Sequence, residues 1–102
     1  MLFLKISFEI FPSKQKEFEQ AVPWLITNNL KQDKDIRQQV LHDVGNPTQF
    51  VYLRDCESRE ELDSHLISER FRALLGGMKL LGKIVTAEIV TSDQVEELSL
   101  IG

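Results

Sequence analysis

The chain has 102 residues, 12 of them basic and 16 acidic, a net charge of −4, and a hydrophobic fraction of 42% against 27% charged. That is the composition of one ordinary globular domain able to bury roughly two thirds of its unfolded surface. The basic residues are scattered, which argues against a phosphate-neutralising nucleic-acid surface, and no apolar run reaches the ~18 residues that a membrane span needs. Cys56 is the only cysteine, so neither an internal disulfide nor a cysteine-rich metal site can form, and a reducing, cytoplasmic setting is expected. The start, Met-Leu-Phe-Leu-Lys-Ile, lacks the basic-then-apolar pattern of a secretory signal.

Taken in chain order, Leu2 to Ile10 alternate, with Leu2, Leu4, Ile6, Phe8 and Ile10 on one face and Phe3, Lys5, Ser7 and Glu9 on the other. This is a strand with one fully apolar side. Pro12 and Ser13 stop it, and Ser13 is positioned to cap a helix from about Lys14 to about Lys31 that carries Phe18, Ala21, Val22, Leu25 and Ile26 at helical spacing. Pro23 predicts a kink in that helix. Ile36 to His42 reads as a weak second strand, Asp43 to Thr48 as a turn around Gly-Asn-Pro, and Phe50 to Arg54 as a short third strand, so the pair forms a hairpin.

Ser58 to Leu74 holds the densest local signals. Ser58 and Glu61 have capping-box spacing, and Leu62, Leu66 and Ile67 give the helix they open an apolar stripe. Ser68 can cap a second helical piece bearing Phe71, Leu74 and Leu75, with Gly76-Gly77 loosening its far end and Gly82 ending it. His65 stands close to the step between the two pieces. Lys83 to Thr91 is a β-branched fourth strand. The tail, 92–102, opens on an Asp93-x-x-Glu96 cap and spaces Val95, Leu98 and Ile101.

The order β-α-β-β-α-β predicts a single α+β, ferredoxin-like domain over 1–102 with a four-stranded antiparallel sheet. Its helices cover one sheet face. The strands also carry apolar residues on the other, with Phe3, Val51, Leu53, Ile84 and Val90 among them. A homodimer through the open sheet face is the economical way to cover such a patch, with the tail in reach of the partner.

With that topology in view, the sequence resembles the antibiotic biosynthesis monooxygenase family of dimeric α+β barrels. The similar segments are Phe11 to Phe18 (F-P-S-K-Q-K-E-F), Asp43 to Phe50 (D-V-G-N-P-T-Q-F) and above all Ser58 to Phe71, S-x-E-E-L-x-x-H-x-x-S-x-x-F. The resemblance implies a monooxygenase that needs no cofactor and takes molecular oxygen as co-substrate with a quinol-like or polyphenolic molecule. Arg54 and Cys56 stand where the family usually has a glutamate and an aromatic. Haem degradation is not implied, because residues 2–11 contain no asparagine and no histidine follows Phe71.

The candidate residues follow. His65 is the candidate general base, its ordinary pKa of about 6.5 suiting a phenolic proton; otherwise it fills the helix step. Trp24, Tyr52, Arg54 and Phe71 are the candidate walls of a pocket for a small aromatic or hydrophobic molecule. Trp24 and Tyr52 are equally at home as core or interface aromatics. Arg54 can hold a substrate oxyanion, or be solvated or paired with Asp55 or Glu57. No metal site is expected, His42 and His65 being isolated from each other. The competing reading is a non-catalytic dimeric barrel that binds a hydrophobic ligand as a sensor or stress module.

Overall fold

The computed structural model describes residues 1–21 and 38–99. Strand β1 (Leu2–Ile10) is followed by a 3-10 turn at Pro12–Lys14 and by helix α1, described over 15–21. Then come β2 (Gln38–His42), β3 (Gln49–Cys56), α2 (Arg59–Leu66), α3 (Glu69–Leu81), β4 (Gly82–Val90) and β5 (Val95–Glu97). The sheet runs β2-β3-β1-β4-β5 with every neighbouring pair antiparallel. Its first four strands have the ferredoxin-like order, and β5 extends it at the β4 edge.

The alternation read in β1 holds. Leu4, Ile6, Phe8 and Ile10 are fully buried on the helix side, with Leu2 packed at the margin of the same cluster. Each buried side chain of this size is worth about 1.5–3 kcal/mol. Phe8, Phe18 and Phe50 meet with ring centroids 4.6–5.9 Å apart, which seats α1 on the sheet. Leu62 of α2 and Phe71, Leu74 and Met78 of α3 close the same core.

Several local expectations are corrected. Ser13 is not a helix cap: the chain leaves β1 through the 3-10 turn, where the Lys14 amide donates to the Phe11 carbonyl (2.8 Å) and no side chain caps. The Pro23 kink, Trp24, Ile36 and Ile101 lie outside the described residues. Gly76-Gly77 do not loosen α3, which runs unbroken to Leu81, because burial of Leu74 and Met78 outweighs the ~1 kcal/mol helical cost of each glycine. Gly82 does end that helix, and the fold needs glycine here. A Cβ would sit 2.0 Å from the Glu9 carbonyl oxygen, where α3 passes into β4 without a linker.

A bulge between Ser7 and Phe8 shifts the register of β4. Ile84 therefore pairs with Phe8 on the core side, Val90 with Phe3 on the outer side, and Val85 lies between registers, half exposed. Ile84 and Val90 do not share a face as a strict alternation implies.

The tail does not start a helix at Asp93. The Thr91 amide donates to the Gln94 carbonyl (2.9 Å), Asp93 accepts from the Thr91 hydroxyl (3.2 Å), and the chain returns as β5. Pairing with the β4 edge gives these few residues backbone partners at once, whereas a one-turn helix would pay the nucleation cost. Arg59, first residue of α2, holds β5 through Glu96 (Nη1 to Oε2, 3.0 Å).

Candidate functional site

Two serines shape the helical layer. Ser58 Oγ accepts from the Glu61 amide (3.1 Å), and the Glu61 carboxylate reaches back to the Glu57 amide (2.8 Å), one residue before the expected capping-box partner. Ser68 Oγ accepts from the Phe71 amide (3.2 Å) and donates to the His65 carbonyl (2.7 Å), so one hydroxyl closes α2 and opens α3. Such caps are worth about 1 kcal/mol each. Ile67, falling after the end of α2, is 73% exposed and does not continue the Leu62–Leu66 stripe.

This step between helices overhangs the β2–β3 end of the sheet. The register places Gln38 opposite Arg54 and Val40 opposite Tyr52, and strand alternation turns Gln38, Tyr52 and Arg54 toward the helices. Above them, Glu61, Ser64, His65 and Ser68 share a face at intervals of three and four residues. Between the two layers is a cleft of about 340 Å³ lined by Gln38, Arg54, Glu61, Ser64, His65, Ser68 and Arg70.

Arg54 is 8% exposed, and its Nη2 lies 3.7 Å from Glu61 Oε1. It is thus not a solvated strand-end arginine, and Asp55 cannot be its same-face partner, since that residue lies on the outer side of the sheet opposite Phe3. Tyr52 is fully buried beneath the cleft. Its hydroxyl donates to Gln38 Oε1 at 2.7 Å and lies 3.3 Å from His65 Nε2. Burial raises its pKa well above the ordinary phenol value; the positive charge of Arg54 opposes this, and Cys56 adds to it. Tyr52 is therefore a neutral phenol at any physiological pH.

Of the candidate site residues read from the sequence, His65 and Arg54 line the cleft. Tyr52 and Phe71 touch His65 from the core side, Phe71 with its ring 4.9 Å from the imidazole. Sequence reasoning missed Gln38, Ser64 and Arg70, and read Glu61 and Ser68 only as capping residues. Alternation with Val40 puts Gln38 on one face of its strand, but nothing local in the sequence pairs it with Tyr52. His42 is elsewhere, stacked on Phe50 (4.5 Å, 8°) with Nε2 2.8 Å from the Pro47 carbonyl. Among the described residues no group of three or more His, Cys, Asp or Glu could hold a metal ion, and no helix is long and apolar enough to cross a membrane.

The fold defines the class, an α+β sheet of ferredoxin-like order with two-part helical cover over one end. No known family pattern and no curated protein matches the sequence. Solved structures do match. An antibiotic biosynthesis monooxygenase superposes with a TM-score of 0.71 at 19% identity, covering 92% of this chain and 98% of its own. A variant of SnoaB, a cofactor-independent oxygenase from Streptomyces nogalater, gives 0.72 at 14% identity over 91% and 93%. A conserved protein from Methanosarcina mazei Go1 gives 0.69 at 22% identity over 87% of both chains. The chain has the fold of the antibiotic biosynthesis monooxygenases, as its sequence resemblance implies.

Proposed function

We propose that this chain is a cofactor-independent monooxygenase acting on a quinol-like or polyphenolic small molecule. The observation that carries the reading is the position of His65, on the wall of a polar-lined cleft and backed by Tyr52 and Phe71. His65 takes the proton of a substrate hydroxyl, and Arg54 faces the oxyanion that results. The electron-rich anion then reduces O2. One oxygen atom is added to substrate carbon, and the other leaves as water with the two hydrogens the substrate gives up. The fold shared with SnoaB supports this chemistry, in which the substrate itself is the reductant.

The test is oxygen consumption with a panel of quinols, comparing the natural chain with His65→Ala. Equal rates would remove His65 from the mechanism. The second reading, a barrel that only binds a hydrophobic ligand, is favoured by Arg54 and Cys56 replacing the family's usual glutamate and aromatic. Ligand binding without turnover of any quinol would select it.

The protein acts, in this reading, as a cytoplasmic homodimer paired through the outer sheet face. Leu41, Val85 and Val95 are 46–61% exposed there or beside it, with Phe3, Val51, Leu53 and Val90 partly covered. A large apolar patch in water is unfavourable. Sedimentation at micromolar concentration should return a dimer, and a monomer would overturn this assembly.

A further inference from the structure

We infer that the cleft selects a substrate bearing a carboxylate, which Arg70 holds at the rim while the hydroxyl to be deprotonated points to His65. The identity of that substrate as a quinol rests on the oxygenase reading; the sign of its charge does not. The lining itself carries the inference. Small-molecule pockets are mostly apolar with a few polar groups, yet all seven residues around this cleft of about 340 Å³ are polar or charged. An uncharged apolar ring would strip water from them and return no hydrogen bond. Arg54 and Arg70 bring two positive charges and Glu61 one negative, a surplus of one positive charge in a chain whose net charge is −4. The Glu61 carboxylate is already engaged, one oxygen accepting from the Glu57 amide (2.8 Å) and the other beside Arg54 (3.7 Å). The carbonyl oxygen of Gln38 accepts from Tyr52 (2.7 Å), so what Gln38 offers a ligand is its NH2. Donors prevail on the wall, and an anion is their complement.

Depth separates the two arginines. Arg54 is 8% exposed on the sheet floor, whereas Arg70 is exposed in the first turn of α3. Among the described residues Arg70 makes no ion pair. The acidic residues near it on the two helices, Glu60, Asp63 and Glu69, are exposed and do not line the cleft, and Asp63 is paired with Arg59 (3.4 Å). A guanidinium at a cleft mouth without a carboxylate of its own matches a ligand carboxylate through two parallel hydrogen bonds. The ring's carboxylate thus docks at Arg70, and the phenolate formed deeper in the cleft meets Arg54. Two anionic centres on one molecule face two arginines of one site.

The measurement is calorimetric binding of 2,5-dihydroxybenzoate and of its methyl ester to the full-length protein, at neutral pH and without oxygen to prevent turnover. The two probes share the quinol and differ in charge. The acid should bind about tenfold more tightly than the ester, and added sodium chloride should narrow the gap by screening. Equal affinities, or no binding of the acid at millimolar concentration, would overturn the proposal. Arg70→Gln should weaken the acid about fivefold, the scale of a solvent-exposed ion pair, and leave the ester within about twofold. Arg70→Lys keeps the charge and should keep the acid ahead of the ester. An unchanged preference in Arg70→Gln would remove Arg70 from the site, and its exposure makes either variant safe for the core. Oxygen uptake in air separates this inference from the reading beneath it. Uptake with neither probe counts against the oxygenase and leaves the charge preference standing. Uptake and affinity equal for both probes remove the charge preference and leave the oxygenase.

Discussion

Two regions of this molecule hold a histidine beside an aromatic ring, and they set it in opposite surroundings. In the β2–β3 turn, His42 stacks on Phe50 and meets the Pro47 carbonyl. A carbonyl can only accept, so His42 is a donor that staples the turn, next to Asp43, whose carboxylate accepts from the Gly45 amide. In the step between α2 and α3, His65 meets a buried hydroxyl that itself has a second partner. Neither an aromatic neighbour nor a bonded ring nitrogen distinguishes the turn histidine from the one we propose as a base. What lies on the far side does: solvent at the turn, a cleft with two arginines at the step.

The largest expected effect tests that contrast directly. His65→Ala should reduce quinol-dependent oxygen uptake by about 10²–10⁴-fold, the usual worth of a general base. His42→Ala should leave it within about twofold, since a turn staple takes no part in proton transfer. An equal loss in both variants would break the comparison.

The next effect is in alkali. Tyr52 has a folded pKa raised above its unfolded value of 10.0. Its contribution to stability is therefore complete below pH ~10 and falls as pH rises further, by up to about 1.4 kcal/mol per pH unit. Urea denaturation from pH 9 to 11 should show this decline, and Tyr52→Phe should flatten it. The smallest effects are local. Ser68→Ala should cost about 1 kcal/mol by removing a cap and a carbonyl partner together. His42→Ala, which loses an exposed bond and the ring stacked on Phe50, should cost about 0.5 kcal/mol. Thermal unfolding of both variants checks the order.

How much of this was legible in the sequence follows from which interactions are local. The β1 alternation, the Gly-Asn-Pro turn and the serine caps at 58 and 68 are set within a few residues, and each is found where the pattern puts it. The Ser58–Phe71 signature also led to the fold of the matching structures. The bulge at Val85 was not legible, because it depends on how β4 meets β1 across some eighty residues. The depth of Arg54 was hidden for a similar reason, since a strand end reads as exposed until α2 is laid over it. Gln38 is the clearest case. Only the β2–β3 register shows that this glutamine faces Arg54 and reaches the Tyr52 hydroxyl.

Helix α2 has one further consequence, for anyone who handles the protein. Its first residue, Arg59, is clipped to Glu96 of β5, and its last full turn carries His65. At only eight residues it is a short lever with the last described strand at one end and the cleft at the other. An affinity tag, fusion or truncation that unseats β5 therefore removes the partner of the residue that opens α2. The C-terminal side of this chain is a poor place for an attachment meant to leave the start of α2 undisturbed.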